Sequence, residues 1–192
     1  MKGSRERLFP PEVMTMSTRI HIENDRLMIC GLKDQDLAGL DAMRNDPRIY
    51  HYEPTFLAEL QGSPEEALKA IRKMDLDKDR QCILGIYEKT DTDTLAGLAE
   101  LYDYKPYEKT ISIGCRLKPE YWSKGIASCC VSALTDFIKY DTQAERITAH
   151  VIPDNKASLR CLQKNGFKYV STKTEDWGHG RPSVADVYIF DC

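Results

Sequence analysis

The 192-residue chain has no apolar run approaching the ~20 residues needed to span a bilayer, which excludes a helical membrane anchor within it. Residues 1–17 carry charges and no continuous apolar stretch, so no secretory signal is read there. Basic excess is missing too: 27 Lys and Arg against 30 Asp and Glu leave a formal net charge of -3. That balance argues against a nucleic-acid binder, which is usually basic. No C-x-x-C pair occurs, and the seven cysteines (Cys30, Cys82, Cys115, Cys129, Cys130, Cys161 and Cys192) are odd in number. Most lie in apolar runs, where a free thiol packs as a small hydrophobe; a reducing, cytoplasmic setting fits better than a disulfide framework. The four histidines lack metal-ligand spacing, so no metal is expected. Neither common phosphate loop is present. Lys124 precedes Gly125 instead of following it, as a Walker A loop requires, and the three spaced glycines of the dinucleotide fingerprint are absent.

What is there reads as one globular domain over 18–192 with an N-terminal extension over 1–17. Alternating apolar residues predict strands over 18–32, 81–88, 95–102, 111–117, 146–152, 167–172 and 184–190. Helical spacing predicts a helix opened by Asp34 and closed at Pro47, and another opened by Ser63-Pro64-Glu65-Glu66. Two more are expected over 127–140 and 155–164, the last stopped by Gly166. Three consecutive strands with short connections cannot all be parallel, whereas the later strand-helix-strand unit suits a parallel pair. The expected fold class is α/β (α+β): a mixed, largely antiparallel sheet of about seven strands with helices on both faces.

The segment 111–127 carries the most chemistry. A strand ends near Leu117, Pro119 stops the ladder, and Gly125 and Ala127 remove side-chain bulk where a helix begins. Such a helix start aims free amides and a positive dipole end outward, a site for a pyrophosphate. A plain strand-to-helix turn is the competing reading.

Leu117-x-Pro119-x-Tyr121-Trp122-x-x-Gly125-x-Ala127 resembles the acetyl-CoA loop of the GCN5-related N-acetyltransferases (GNAT). Asn155-x-x-Ser158 followed by Lys164-x-Gly166-Phe167 agrees, and the pair is similar to the RimJ/RimL branch of ribosomal-protein alanine acetyltransferases. Arg26-Leu27-Met28-Ile29, Asp36-Leu37 and Asn45-Asp46-Pro47 fit the same branch, as does Trp122 at the first loop position. The resemblance spans roughly 20–190 and implies a GNAT fold. It implies acetyl-CoA as cosubstrate, with the backbone of Cys115 and Leu117 pairing with the pantetheine arm. The amides of Ser123, Lys124, Gly125, Ile126 and Ala127 would hold the pyrophosphate, and Asn155 would contact the arm. Ser158 would protonate the departing thiolate; Asn155 and Ser158 also read as an ordinary helix cap and first-turn serine. The tyrosine that other members use as acid falls at Leu162, and the glutamate that many relatives carry falls at Ser112. Glu100 and His150 are the substitute bases. Tyr50, His51 and Tyr52 would line the acceptor cleft, next to Arg48 and Glu53, and the polar connection 175–183, with Gly178 and Gly180, would lie over it. The implied activity is direct acetyl transfer to a primary amine, a protein N-terminus or a small molecule, by a cytoplasmic monomer or homodimer. A CoA-binding regulatory module without turnover is the alternative.

Overall fold

Apolar alternation builds the strands, and one side chain sets where the first of them breaks. In the computed structural model, which describes residues 20–52, 62–176 and 182–192, the run read as a single first strand is two. The Asn24 side-chain oxygen accepts the amides of Arg26 at 2.9 Å and Leu27 at 2.8 Å. This Asx turn reverses the chain, so β1 (His21–Glu23) pairs antiparallel with β2 (Leu27–Cys30). The sheet therefore has eight strands rather than about seven. The extension over 1–17, Glu53 and the tip of the connection at 177–181 lie outside the described residues.

Four helices follow β2. A 3-10 turn over Asp34–Asp36 leads into α1 (Leu37–Arg44), so Asp34 sits inside the turn instead of capping the helix. Pro47 does not merely end a helix; it opens α2 (Pro47–Tyr50), with Asp46 accepting the Arg48 amide at 2.9 Å. Helix α3 (Pro64–Lys73) starts on the expected capping box, with Glu66 N donating to Ser63 Oγ at 3.2 Å and Ser63 N to the Glu66 carboxylate at 2.8 Å. Helix α4 (Leu76–Asp79) is capped by Asp75.

Strands β3 (Cys82–Glu88), β4 (Gly97–Lys105) and β5 (Thr110–Leu117) form a meander. Helix α5 (Ile126–Asp141) crosses to β6 (Arg146–Val151), and α6 (Lys156–Lys164) leads to β7 (Lys168–Asp176) and β8 (Pro182–Asp191). The last two strands are longer than expected: their ladder runs on to Asp176↔Pro182, so Glu175, Asp176, Pro182 and Ser183 of the connection read over 175–183 belong to the strands. The strand order is β1-β2-β3-β4-β5-β6-β8-β7, and every pair is antiparallel except β5–β6.

Two cores cover the two faces of this sheet. Ile126, Cys130, Leu134 and Ile138 recur every fourth residue on α5, are fully buried, and pack over Ile111, Ile113, Ile147 and Ala149. On the other face Leu40 and Met43 of α1 and Ala67, Leu68 and Ile71 of α3 pack on Tyr87 and Leu98. Tyr87 is fully buried and its hydroxyl donates at 2.5 Å to Asp36, itself buried, whose same oxygen accepts the Lys33 amide at 2.6 Å. Burial first, and then the Asp36 carboxylate, push the Tyr87 hydroxyl far up, so it stays protonated and donates. Gly85 leaves room for it: a Cβ there would lie 2.5 Å from the Tyr87 oxygen. Removing that donor leaves the buried Asp36 oxygen with the Lys33 amide alone. Tyr87→Phe is therefore expected to cost about 1–3 kcal/mol, read as a lower urea midpoint with an unchanged slope.

Candidate active site

The parallel ladder between β5 and β6 has only three registered pairs, Thr110↔Arg146, Ile111↔Ile147 and Ser112↔Thr148. Both strands continue, β5 to Leu117 and β6 to Val151, while β5 stays paired with β4 as far as Gly97↔Leu117. The strands therefore part beyond Ser112. The last rung is tied by side chains, Ser112 Oγ lying 2.5 Å from Thr148 Oγ1. Because β5 and β6 run the same way, the loop after β5 and the start of α6 after β6 leave from the same end of the sheet, flanking the gap.

The loop after β5 is shaped by two residues in the left-handed region, Ser123 at φ 58 and Gly125 at φ 80. Gly125 is the N-cap of α5 and offers no side chain to the helix start, while Ile126 is fully buried and anchors it. Among the described residues the amides from Ser123 to Ser128 find no acceptor; the first amide of this turn to be bonded is Cys129, to the Gly125 carbonyl at 3.1 Å. Trp122, Ser123, Lys124 and Gly125 are exposed. The loop side chains turn back on the protein. The Trp122 indole donates to the Leu117 carbonyl at 2.8 Å, so that carbonyl is already engaged, and Lys124 Nζ lies 5.4 Å from the Tyr121 ring centre. A second cation reaches the loop from the turn between β1 and β2: Arg26 Nη1 donates to the Lys124 carbonyl at 2.7 Å.

Asn155 caps α6, its oxygen accepting the Ser158 amide at 3.1 Å. The cap reading is thus present, and the side-chain NH₂ remains on the same helix end. Ser158 is half-buried in the first turn. Helices α5 and α6 are joined where Asn165 donates to Ser128 Oγ at 3.0 Å. All seven cysteines are free thiols. Cys115 on β5, Cys129 and Cys130 on α5 and Cys161 on α6 lie near one another. Burial, then the neighbouring Cys115, push the Cys161 thiol up to about 12, and a hydrogen bond with Cys115, then burial, push Cys130 up. Both stay protonated near neutral pH and are poor nucleophiles. Among the described residues no group of three or more His, Cys, Asp and Glu side chains is placed to hold a metal.

Alternation and register put Glu100, Tyr102, Ser112, Gly114, Arg116, Thr148 and His150 on the face opposite α5. Glu100 forms an ion pair with Arg116, each side chain only 14% exposed. To take a proton from a substrate its carboxylate would have to leave that pair. His150 is half-buried on β6, beyond the last β5–β6 rung. Tyr50 ends α2, partly buried against the α1–α3 core, and burial pushes its hydroxyl up. The rings of His51 and Tyr52 meet edge to face at 4.4 Å. The fold thus gathers Gly125, Ala127 and Asn155 at one end of the β5–β6 gap and His150 and Glu100 on the face beside it. Arg116, Thr148 and the Arg26 bond were not found by reading the sequence. Opposite charges at diagonal positions of adjacent strands were the available signal for Arg116, whereas the Arg26 contact joins residues 98 apart in the chain and leaves no local pattern.

The acetyltransferase (GNAT) domain family matches residues 26–168, which include the loop, the gap and both helix starts. An uncharacterized N-acetyltransferase of Bacillus subtilis, YoaA, is 29% identical over 169 residues, covering 87% of this chain and 94% of the relative. Two solved structures share the fold. RimL, the ribosomal L7/L12 alpha-N-protein acetyltransferase in complex with coenzyme A, has 19% identity and a TM-score of 0.73 over 90% of this chain and 98% of its own. Spermidine N-acetyltransferase from Vibrio cholerae, in complex with CoA and spermine, has 19% identity and a TM-score of 0.71 over 88% and 96%. With a family match over most of its length laid on this geometry, the chain belongs to the GNAT family and is an acetyl-CoA-dependent N-acetyltransferase.

Proposed function

We propose that the protein moves an acetyl group directly from acetyl-CoA to a primary amine of modest basicity, a protein N-terminal α-amine or a small-molecule amine of similar pKa. The observation that carries this reading is the exposed loop of unbonded amides, Ser123 to Ala127, at the mouth of the β5–β6 gap. The pyrophosphate rests on those amides. The pantetheine arm runs along β5 past Cys115 and Leu117 and meets Asn155, adding to the sheet as a strand would. Lys124 adds charge near the phosphates and Trp122 holds the loop to the strand end. The acceptor enters over Tyr50, His51 and Tyr52, on the face that carries His150. On this reading the protein is a member of the RimJ/RimL branch, one catalytic domain over 18–192 working in the cytoplasm. RimL is named for an α-amine acceptor, the class this reading favours, and the spermidine enzyme for a polyamine, a more basic class.

In the step itself the neutral amine nitrogen attacks the thioester carbon, the carbon–sulfur bond breaks, and the sulfur takes up a proton. Ser158, in the first turn of α6, supplies that proton. His150 receives the one lost by the amine, directly or through water. Histidine is the side chain most often used as a general base, and Glu100 is held by Arg116. The step runs without an acyl-enzyme, a reading supported by the surroundings of Cys130 and Cys161, which push both thiols up and make them poor nucleophiles.

Calorimetry with coenzyme A tests the loop. Gly125→Glu is expected to abolish binding while the circular dichroism spectrum is retained. A Cβ at Gly125 meets nothing closer than Arg26 Nη1 at 3.6 Å, so bulk inside the protein is not the obstacle. The left-handed φ costs a side chain roughly 1–2 kcal/mol, and the carboxylate repels the phosphates. Unchanged affinity would sink the loop assignment. Initial-rate kinetics test direct transfer: double-reciprocal plots are expected to intersect, and Cys161→Ser to keep turnover within ~3-fold of wild type, whereas parallel lines would mean an acyl-enzyme. His150→Gln is expected to lower kcat by ~10²-fold with little change in KM for acetyl-CoA, the size of a lost general base.

A further inference from the structure

Arg26 is separated from the phosphate loop by 98 positions, yet it makes the loop's closest polar contact with the rest of the protein. Its guanidinium is forked. Nε donates to Glu88 Oε1 at 3.1 Å and Nη2 to the same oxygen at 2.9 Å, which fixes the plane of the group on β3. The remaining arm, Nη1, reaches the Lys124 carbonyl at 2.7 Å. Lys124 stands between the two left-handed residues, Ser123 and Gly125, where the backbone is least held by steric preference. No side chain caps the helix that begins there.

The peptide joining Lys124 to Gly125 is trans, as are all peptides of the described residues. In a trans peptide the carbonyl and the following amide point in opposite directions. Holding the Lys124 oxygen toward Arg26 therefore turns the Gly125 N–H to the side away from Arg26, where it stays without an acceptor among the described residues. Without that bond the peptide is free to rotate and withdraw an amide from the set.

We propose that Arg26 is a positioning residue for the cosubstrate: through the Lys124 carbonyl, and braced by Glu88, it presets the loop in its phosphate-receiving form. The role belongs to the forked geometry rather than to charge alone, because Glu88 already neutralises the guanidinium. It rests on the reading of the loop as the acetyl-CoA site.

The test compares two acetyl donors, acetyl-CoA and S-acetyl-N-acetylcysteamine, which keeps the thioester but lacks every phosphate. Arg26→Ala is expected to raise KM for acetyl-CoA by ~10-fold or more and to change kcat by less than ~3-fold. The loss with acetyl-CoA should exceed the loss with the short donor by ~10-fold, since only acetyl-CoA uses the loop. Arg26→Lys, which keeps the charge but not the fork, should show most of the same discrimination. Wild-type KM in either variant, or equal losses with both donors, would overturn the clasp. A wild-type chain that binds no coenzyme A in the calorimeter would instead overturn the reading of the loop itself, and the clasp with it.

Discussion

Strand β5 belongs to two ladders, and one of them stops early. Its antiparallel partner β4 follows it to Leu117, but the parallel partner β6 leaves after Ser112↔Thr148. Backbone groups beyond that rung lose their ladder partner on one side at the very end of the sheet where α5 and α6 begin. A buried backbone group without a partner is costly, so this gap is the natural seat of something that brings its own amides and carbonyls. The Ser112–Thr148 hydroxyl pair closes the last rung and defines where the gap opens. Slip the register of β6 by one residue and every side chain on it exchanges faces, taking His150 from the face opposite α5 into the α5 core.

The second constraint is that the loop presents backbone rather than side chains. Trp122 is tied to Leu117, Lys124 rests near Tyr121, and Ile126 is buried under α5. What faces outward is a row of amides at the positive end of a 16-residue helix. Such a site reads charge and shape without depending on the identity of most loop side chains. It also needs the backbone to be held from behind, and the anchors come from three directions: the strand end, the helix core and Arg26 in the β1–β2 turn.

Much of this was legible in the sequence because it is local. Alternation marked most of the strands, Ser63-Pro64-Glu65-Glu66 marked a helix start, and the spacing of Pro119, Gly125 and Ala127 marked the loop. The failures have physical causes. The Asn24 turn lies within an apolar run whose alternation continues on both sides, so two strands looked like one. Asp34 and Pro47 were assigned to a single helix because cap residues do not say which of two adjacent turns they open. The β7–β8 hairpin extended because Lys173 to Asp176 pair with Pro182 to Ala185 across the strands, a contact that polar residues hide from a hydrophobic pattern. Long-range side-chain bonds, Arg26 to Lys124 above all, leave no periodic trace.

The acceptor side carries a further consequence of composition. Where many relatives place a glutamate this chain has Ser112, whose hydroxyl is buried and shared with Thr148. The nearest carboxylate on that face, Glu100, is bound to Arg116. The face therefore offers no unengaged carboxylate among the described residues of these central strands, and an incoming amine must arrive largely neutral or rely on His150. An α-amine with a pKa of ~8 is neutral in about one molecule of ten at pH 7, whereas a lysine amine at ~10.4 is neutral in about one of 2,500. The reactive fraction favours the α-amine by about 250-fold before any contact with the protein is made. On the proposed reading, a site without a free carboxylate base suits weakly basic amines, and its rate would rise with pH through the acceptor's own pKa rather than through that of a carboxylate.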